Sequence, residues 1–382
     1  MNILKIFQRI TLLVLILAFS AVHAAMSPVP SPPKLSAKSF LLIDFNSGRV
    51  LAEKNIDKKI EPASITKMMT AYVIYKEIEA GRLSMDEEVI ISKKAWRMKG
   101  SKMFIEVGKK ITVATLLKGV IIQSGNDATV ALAEHIAGSE ATFADYMNQY
   151  AQALGMADTN FVNSTGWPNR KHLTTARDIA TLAKAIIKEF PDHYALYSQK
   201  EYTYNGIKQY NRNKLLWRDK TVDGIKTGHT DSAGFCLVSS AVRNDMRLIA
   251  VVLGTRSEKT RASVSQSLMS YGFRFYETSK LYAAGESLNT VRIWKGDHEN
   301  LNLGLMDDLY VTIPRGQYKK LDAVMEVNEN IEAPINKGDQ LGRVRVTLDG
   351  KEILSRPLIA LSAIGEGSIW QKTKDYVIQL FL

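Results

Sequence analysis

The period of the apolar residues changes once along the chain, and this change constrains the fold more than any other feature. Between residues 39 and 280, strand-like segments at 40–52 and 235–253 enclose a long stretch whose apolar residues recur at helical spacing. Beyond residue 286, short segments of alternating polarity such as 309–313 and 344–348 are separated by turn sequences. We therefore predict an α+β domain, in which helices cover a sheet, followed by a small all-β domain.

Several helices and one hairpin are expected within the first domain. The segment 235–253 has Arg243-Asn244-Asp245 at its centre and is predicted to form a hairpin of buried strands. The predicted helices cover about 64–80, 112–123, 128–137, 143–153, 176–188 and 258–278.

The first residues have the composition of a secretory leader. Lys5 and Arg9 precede an apolar run at 10–22, and small residues suited to a signal peptidase follow it. As a helix this run would rise about 20 Å, which is short of the roughly 30 Å hydrocarbon core of a bilayer. We therefore predict a signal peptide at 1–24 and, at 25–38, a spacer that contains four of the ten prolines.

The net charge limits the partners of the exported protein. The chain has 50 Lys and Arg against 39 Asp and Glu, a formal charge of +11, and loss of the leader would leave +9. Such an excess suits nucleic acid, an anionic lipid surface or an anionic polymer. Export excludes nucleic acid as the explanation, whereas the oligomeric state stays open.

Cysteine and histidine usage argues against disulfides and metals. Cys236 is the only cysteine, so no intrachain disulfide can form. It lies in an apolar run without cationic neighbours, which predicts a buried packing residue rather than a nucleophile. The six histidines show no HExxH pattern and no close pairing, so we predict no metal site and no cofactor.

Three short motifs follow one another along the chain. Ser64-Ile65-Thr66-Lys67 places a hydroxyl and an amine about one turn apart on one face of a helix start. Ser124-Gly125-Asn126 follows an apolar helix and is predicted to be a tight turn that displays two polar side chains. Lys226-Thr227-Gly228 precedes the hairpin, where Gly228 would let a substrate backbone approach the strand edge. Their occurrence in this order behind a secretory leader indicates a single active site.

This set resembles the active-site serine penicillin-recognising proteins, whose signature is S-x-x-K, S-D-N and K-T-G. Longer strings are similar to the low-molecular-mass D-alanyl-D-alanine carboxypeptidases, a family that also carries a β domain and an amphipathic tail. The resemblance implies a penicillin-binding-protein-like catalytic domain, with an antiparallel sheet and helices, at 39–280, the β domain at 281–366 and the tail at 367–382. The strings that carry it are Pro62 to Thr70, Ser124 to Ala128, Asn211-Arg212-Asn213 with Leu216-Trp217, and Asp223 to Thr230.

The residue types suggest acyl transfer. Ser64 would attack the carbonyl between the two terminal D-alanines of a peptidoglycan stem peptide, and water would hydrolyse the acyl-enzyme. Lys67 must be neutral to take the proton, whereas an ordinary lysine has a pKa near 10.4. A charged Lys226 about 5 Å away would lower the pKa of Lys67 by about two units, and desolvation would lower it further. Ser124 is expected to pass protons between the lysines and the leaving amine, and Asn126 to hold Lys67 and the substrate amide.

The resemblance also implies how the substrate is held and which inhibitors bind. Lys226 and Thr227 would bind the terminal carboxylate, with help from Arg261. The backbone N–H groups of Ser64 and His229 would form the oxyanion hole. β-Lactam antibiotics would acylate the same serine.

Three alternatives stay open at this point. A class A β-lactamase would need a deacylating glutamate, for which Glu201 lies late in the sequence and Asp158 is the wrong residue. A D,D-endopeptidase that cuts cross-links would use the same motifs. A non-catalytic peptidoglycan-binding scaffold would not need all three motifs intact.

The C-terminal segment has an amphipathic pattern. Its polar residues Gln371, Lys372, Asp375 and Gln379 fall opposite the apolar side chains on a helical projection. A helix of this length is too short to span a bilayer but suits the surface of an anionic membrane, and the alternative is a helix docked on the β domain. We therefore expect peripheral attachment to the periplasmic face of the cytoplasmic membrane. The apolar residues of the predicted contact are Ile369, Trp370, Tyr376, Val377, Leu380 and Phe381.

Overall fold

A computed structural model describes residues 29–381. The chain divides into a unit Met1–Ser31, of which only residues 29–31 are described, and a compact unit Pro32–Leu382. The signal peptide predicted at 1–24 lies outside the described residues. Residues 29–38 have no helix or strand, and regular structure begins at Ser39.

The strands of the compact unit fall into a five-stranded N-terminal sheet, a five-stranded C-terminal sheet and three two-stranded pairs. They are β1 (Ser39–Asp44), β2 (Val50–Lys54), β3 (Glu88–Ile90), β4 (Lys110–Thr112), β5 (Glu201–Tyr204), β6 (Ile207–Tyr210), β7 (Val222–Thr230), β8 (Gly234–Arg243), β9 (Met246–Thr255), β10 (Tyr276–Tyr282), β11 (Asn289–Arg292), β12 (Asn300–Gly304), β13 (Leu309–Pro314), β14 (Leu321–Val327), β15 (Gln340–Leu348) and β16 (Lys351–Ala360).

The α-helices lie mostly between β2 and β7. They are α1 (Lys67–Glu79), α2 (Lys93–Arg97), α3 (Val113–Lys118), α4 (Asn126–Ala137), α5 (Glu140–Ala153), α6 (Ala176–Glu189), α7 (Pro191–Tyr194), α8 (Leu215–Arg218), α9 (Glu258–Phe275) and α10 (Ile369–Gln379).

The N-terminal sheet is antiparallel, in the order β2-β1-β9-β8-β7. Alternate residues of its central strands face opposite sides, so Leu41 and Val251 join the large helical core that includes α1 and α4. On the other side, a Cβ added at Gly272 of α9 would lie 2.5 Å from Leu248 Cδ1, so glycine lets this helix approach the sheet closely. The sheet is therefore covered by helices on both faces, with β7 at one edge.

The hairpin predicted at 235–253 is present as β8 and β9, whereas the helix predicted to reach residue 278 ends earlier. α9 stops at Phe275, because Tyr276 to Tyr282 forms β10 and pairs with β13. Arg315 stabilises this helix end by donating a hydrogen bond to Phe273 O at 2.7 Å. Pairing with a distant strand overrides the helical pattern of the local sequence.

The C-terminal sheet has the order β11-β12-β16-β15-β14. Its inward-facing aliphatic residues, among them Leu303, Val344, Val346 and Leu358, form a second core separate from the first. The second domain is therefore an all-β unit with a core of its own, as the alternating pattern indicated.

The C-terminal helix α10 lies against the β domain through its polar side. Asp375 is 1% exposed, whereas Trp370 is 79% and Phe381 87% exposed. The helix is therefore docked on the β domain, as in the alternative, but through its polar side and not through the aromatic stripe that this alternative would bury. No helix within residues 29–381 is both long and apolar enough to cross a bilayer.

Candidate active site

The predicted nucleophile lies in a tight turn before α1. Ser64 belongs to a short 3₁₀ turn, Ala63–Thr66, and Ala63 has a φ of +49°. Two glycines approach this turn closely. A Cβ on Gly166 would lie 1.8 Å from Ala63 O, and one on Gly228 would lie 2.9 Å from Pro62 O. Gly228 is therefore required for the packing of β7 against the serine turn, which differs from the substrate approach expected from the sequence.

Lys67 is buried and has three acceptors around its amine. Its Nζ lies 3.1 Å from Ser64 Oγ, 2.7 Å from Asn126 Oδ1 and 2.7 Å from Thr165 O. Burial lowers the pKa of Lys67 to about 7, although the charges of Asp127 and Glu140 oppose the shift. A large fraction of Lys67 is therefore neutral near pH 7, within hydrogen-bond distance of the serine hydroxyl.

The cause of this shift differs from the one expected. Repulsion by Lys226 was expected from the sequence to be the first cause, but desolvation has the largest effect on the pKa of Lys67. Burial is also the largest cause for Lys226, whose pKa falls well below its ordinary value, and the charge of Lys67 adds to that effect. Removal from water therefore disfavours the charged form of each amine, and the charge of Lys67 disfavours that of Lys226 further.

The second motif forms the predicted turn between two helices. Ser124 is buried and has a φ of +64°, and Asn126 begins α4. The Asn126 amide donates from Nδ2 to Lys99 O at 2.7 Å, so it joins Lys67 to the segment after α2. Among the described residues, no hydrogen bond joins Ser124 Oγ to Lys67 or to Lys226.

The third motif lies on the edge strand β7. Lys226 and Thr227 are buried, whereas His229 is exposed and its ring lies 3.9 Å from that of Phe235. Arg261 of α9 lies behind this strand and donates from Nη1 to Gly228 O at 3.2 Å. The packing of β7 on the serine turn therefore brings the third motif beside the first.

Positive charge accumulates at this end of the sheet. The charges of Lys67, Arg212 and Arg261 each help to lower the pKa of Lys226. Arg212 belongs to the Asn211-Arg212-Asn213 string, to which the sequence analysis gave no role of its own. A carboxylate is the group that this arrangement would best accommodate, because it would offset the mutual repulsion of the cations.

Sequence reasoning missed the segment 163–167, which contacts the Lys67 amine through Thr165 O. Thr165 supplies a backbone acceptor, and Asn163 Oδ1 accepts hydrogen bonds from the backbone N–H groups of Thr165, Gly166 and Trp167. The signal was present in the sequence, because asparagine shortly before glycine is typical of a tight turn. Nothing local, however, relates that turn to a lysine about a hundred residues away.

The carboxylates considered for a β-lactamase are held elsewhere. Asp158 pairs with Lys59 at 3.0 Å, and Glu201 pairs with Lys208 at 2.7 Å across the β5–β6 hairpin. Neither accepts a hydrogen bond from the residues around Ser64 among those described.

Family models match both domains. Residues 26–257 match the model described as D-alanyl-D-alanine carboxypeptidase, and residues 276–366 match the penicillin-binding protein 5 C-terminal domain. The chain belongs to the D-alanyl-D-alanine carboxypeptidase family. The resemblance stated from the motifs and the expected α+β fold with an all-β domain are both confirmed.

Individual relatives agree with this assignment. The D-alanyl-D-alanine carboxypeptidase DacA of Escherichia coli strain K12 is 43% identical over 95% of this chain and 93% of its own length. The crystal structure of penicillin binding protein 5 from Haemophilus influenzae matches with a TM-score of 0.85 and 41% identity, over 88% of this chain and 100% of that one. The D-alanyl-D-alanine endopeptidase of the same E. coli strain is more distant, at 30% identity over 65% of this chain and 80% of its own. The chain is thus a D-alanyl-D-alanine carboxypeptidase, and the endopeptidase alternative is the weaker one.

Proposed function

We propose that this carboxypeptidase removes the terminal D-alanine from peptidoglycan stem pentapeptides through an acyl-enzyme on Ser64. The observation that carries the proposal is the position of Lys67 Nζ, 3.1 Å from Ser64 Oγ, together with a pKa of about 7. A base near neutrality and within hydrogen-bond distance of a hydroxyl is what serine activation requires.

In the acylation step, neutral Lys67 takes the Ser64 proton as Oγ bonds to the carbonyl carbon of the penultimate D-alanine. Collapse of the tetrahedral intermediate breaks the peptide bond, and the proton passes to the departing amine of the terminal D-alanine. Ser124 is proposed to carry that proton, which requires a hydroxyl rotation or a small closure around the substrate. Asn126 accepts a hydrogen bond from Lys67 Nζ at 2.7 Å and so helps to fix the position of this amine.

In the deacylation step, the same amine is proposed to take a proton from water. The water oxygen bonds to the acyl carbon, the ester bond breaks, and the proton returns to Ser64 Oγ. The charge on the carbonyl oxygen would be stabilised by the N–H groups of Ser64 and His229. This assignment uses one base for both steps and needs no dedicated glutamate.

The free carboxylate of the substrate is proposed to bind beside β7. Lys226 and Thr227 would contact it directly, and Arg261 would support the strand from behind through Gly228 O. A bound carboxylate favours the protonated form of Lys226, so substrate binding would raise the depressed pKa of that lysine. Penicillins also carry a carboxylate near their reactive carbonyl, which accounts for β-lactam binding at the same position.

Replacement of the serine tests the proposal directly. The Ser64→Ala variant should lose D-alanine release from a pentapeptide and labelling by a fluorescent penicillin, because no acyl-enzyme can form. Ser198→Ala, an exposed serine outside the site, is the control and should retain both. Circular dichroism checks that each variant is folded. Full carboxypeptidase activity in Ser64→Ala would refute the acyl-enzyme.

Mass spectrometry of muropeptides separates the two peptidase activities. Incubation with the purified enzyme should remove one D-alanine from each pentapeptide stem and leave cross-linked dimers in place. Loss of cross-links at a comparable rate would instead identify an endopeptidase.

We further propose that the enzyme acts in the periplasm and attaches peripherally to the cytoplasmic membrane through α10. The support is the exposure of Trp370, Tyr376 and Phe381 on one side of a short helix. Burying half of six large apolar side chains contributes roughly 5 kcal/mol, and each nearby basic residue adds about 1 kcal/mol at an anionic surface. That is enough for attachment that can be reversed by extraction.

A further inference from the structure

The buried carboxylate of α10 is unexpected in a helix that only needs to lie on a lipid surface. A helix held by lipid alone would keep its charged residues in water. Asp375 is instead 1% exposed, on the side of α10 that faces the β domain. A buried carboxylate is unfavourable unless it is paired and hydrogen-bonded, so Asp375 requires partners in the β domain.

Two groups of the β domain hold Asp375. The Lys295 backbone N–H donates to Oδ2 at 2.6 Å, and Arg292 Nη2 lies 3.5 Å from Oδ1. The Arg292 guanidinium itself lies over the Trp294 ring, 4.2 Å from its centroid. Trp294 is buried and bonded through its backbone to Ile331, so the partners of Asp375 belong to the β domain.

The start of the helix is held at the same place. Gly367 N–H donates to Lys295 O at 2.8 Å, and a Cβ on Gly367 would lie 2.6 Å from Gly296 O. Six residues beyond Ser368, Lys374 pairs with Glu299 at 2.9 Å. Contacts before and along α10 therefore leave the helix little freedom to turn about its axis.

We propose that Asp375 is a positioning residue that fixes α10 to the β domain, so that the apolar stripe faces outward before any lipid is met. The inference rests on the membrane attachment proposed above and extends it. A stripe fixed in advance does not need to be ordered on binding, which favours affinity. Because the helix is fixed to the β domain, the lipid surface also orients the whole enzyme relative to the membrane.

Two variants that each remove one negative charge distinguish the positioning role of Asp375 from electrostatic attraction between the protein and anionic lipid. Asp375→Ala and Glu366→Gln each remove one negative charge beside the helix, and Glu366 is an exposed acid paired only with Lys372 among the described residues. Attraction to anionic lipid alone predicts that both variants bind more tightly. If Asp375 positions the helix, Asp375→Ala binds about tenfold more weakly, whereas Glu366→Gln binds as well as wild type or better. Asp375→Asn, which keeps an oxygen for the Lys295 N–H, should fall between them.

Vesicles of phosphatidylglycerol and phosphatidylcholine serve as the probe for the full-length mature protein. Hydrogen exchange of residues 369–379 without vesicles should be protected in wild type and Glu366→Gln and unprotected in Asp375→Ala. A donor dye on Gln149→Cys, an exposed position distant from the tail in sequence, reports the distance from that residue to an acceptor dye in the lipid. Labelling should be specific, because the native Cys236 is buried. The distance distribution should be narrow in wild type and broad in Asp375→Ala, while hydrolysis of a soluble peptide stays the same.

The outcomes separate the two proposals. Equal protection and equal or tighter vesicle binding in Asp375→Ala would refute the positioning role, while the attachment proposal would stand. Failure of wild type to bind vesicles would overturn the attachment and with it the orienting role. Carboxypeptidase activity on the soluble peptide stands apart from both results.

Discussion

At the scale of single residues, burial of Lys67 supports its proposed role as the base at neutral pH. Its amine has three good acceptors, yet desolvation still lowers its pKa to about 7. The neutral form is therefore lost as the pH falls through 7. The charge of Lys226 is less important to Lys67 than the sequence suggested, because removal from water acts on each amine separately.

The pH dependence of acylation follows from this shift. The second-order rate of acylation by penicillin should rise as the pH increases from 5, with an apparent pKa near 7, and then level off, because only neutral Lys67 accepts the proton. Stopped-flow measurements between pH 5 and 9 give the profile, and circular dichroism confirms folding over that range. A rate that falls as the pH rises through 7 would contradict the base assigned here.

Gly166 provides a second prediction at this scale. Gly166→Ala should destabilise the protein by about 2–5 kcal/mol and abolish acylation, because its Cβ would overlap Ala63 O beside the nucleophile. Gly155→Ala is a matched control, since Gly155 has a similar φ of +77° with no atom within 4 Å of the added carbon. It should cost only about 1 kcal/mol. Urea unfolding and penicillin labelling of both variants provide the comparison, and equal losses would refute the role of the close contact.

At the scale of secondary-structure elements, β7 joins the two halves of the site. As the edge strand of the sheet it packs against the serine turn through Gly228, and α9 supports it through Arg261. The strand thus places Lys226 and Thr227 beside Ser64 although they lie far along the chain. An edge strand also keeps backbone groups available to an extended substrate.

The proposed carboxylate contact belongs to this strand. Lys226→Ala should lower kcat/KM for a peptide with a free terminal carboxylate by about 100-fold, corresponding to the loss of a charge-assisted hydrogen bond in a buried site. The same peptide with an amidated terminus should be hydrolysed slowly and at similar rates by both enzymes. Lys220→Ala, at an exposed position just before β7, is the control. Equal losses on the two peptides would remove the carboxylate role.

At the scale of the whole molecule, the two cores suggest that catalysis and attachment can be separated. The helical core contains α1 and α4, whereas the aliphatic core of the β domain has a separate set of residues. α10 contributes only Asp375 to the buried residues and no apolar side chain. Removal of the helix should therefore leave both cores intact.

Truncation before Gly367 tests this separation. The shortened protein should stay folded, release D-alanine from small peptides at the full-length rate and lose binding to anionic vesicles. Sedimentation with vesicles and thermal unfolding are the measurements, with the full-length protein as reference. Unfolding of the truncated protein would show that α10 is structurally required and would argue against a helix reserved for the membrane.

Local sequence by itself predicts the division into domains, the motifs of the site and the amphipathic pattern of α10. The change of apolar period separates an α+β domain from a β domain, because burial on one helical stripe and on one face of a strand requires different spacings. The motifs around Ser64, Ser124 and Lys226 predict the chemistry because three such motifs in this order are unlikely to occur together by chance. The apolar stripe of α10 follows equally from its 3.6-residue period.

Contacts between distant segments determine where α9 ends, which acceptors surround Lys67 and which side of α10 is buried. The end of α9 at Phe275 depends on pairing with β13, and the acceptor at Thr165 on a turn that local sequence does not connect to Lys67. Asp375 belongs to the polar side of α10 in any helical projection, and only the neighbouring β domain makes that side the buried one. A helical period specifies which residues share a face, whereas the surface opposite that face determines whether it meets protein, water or lipid.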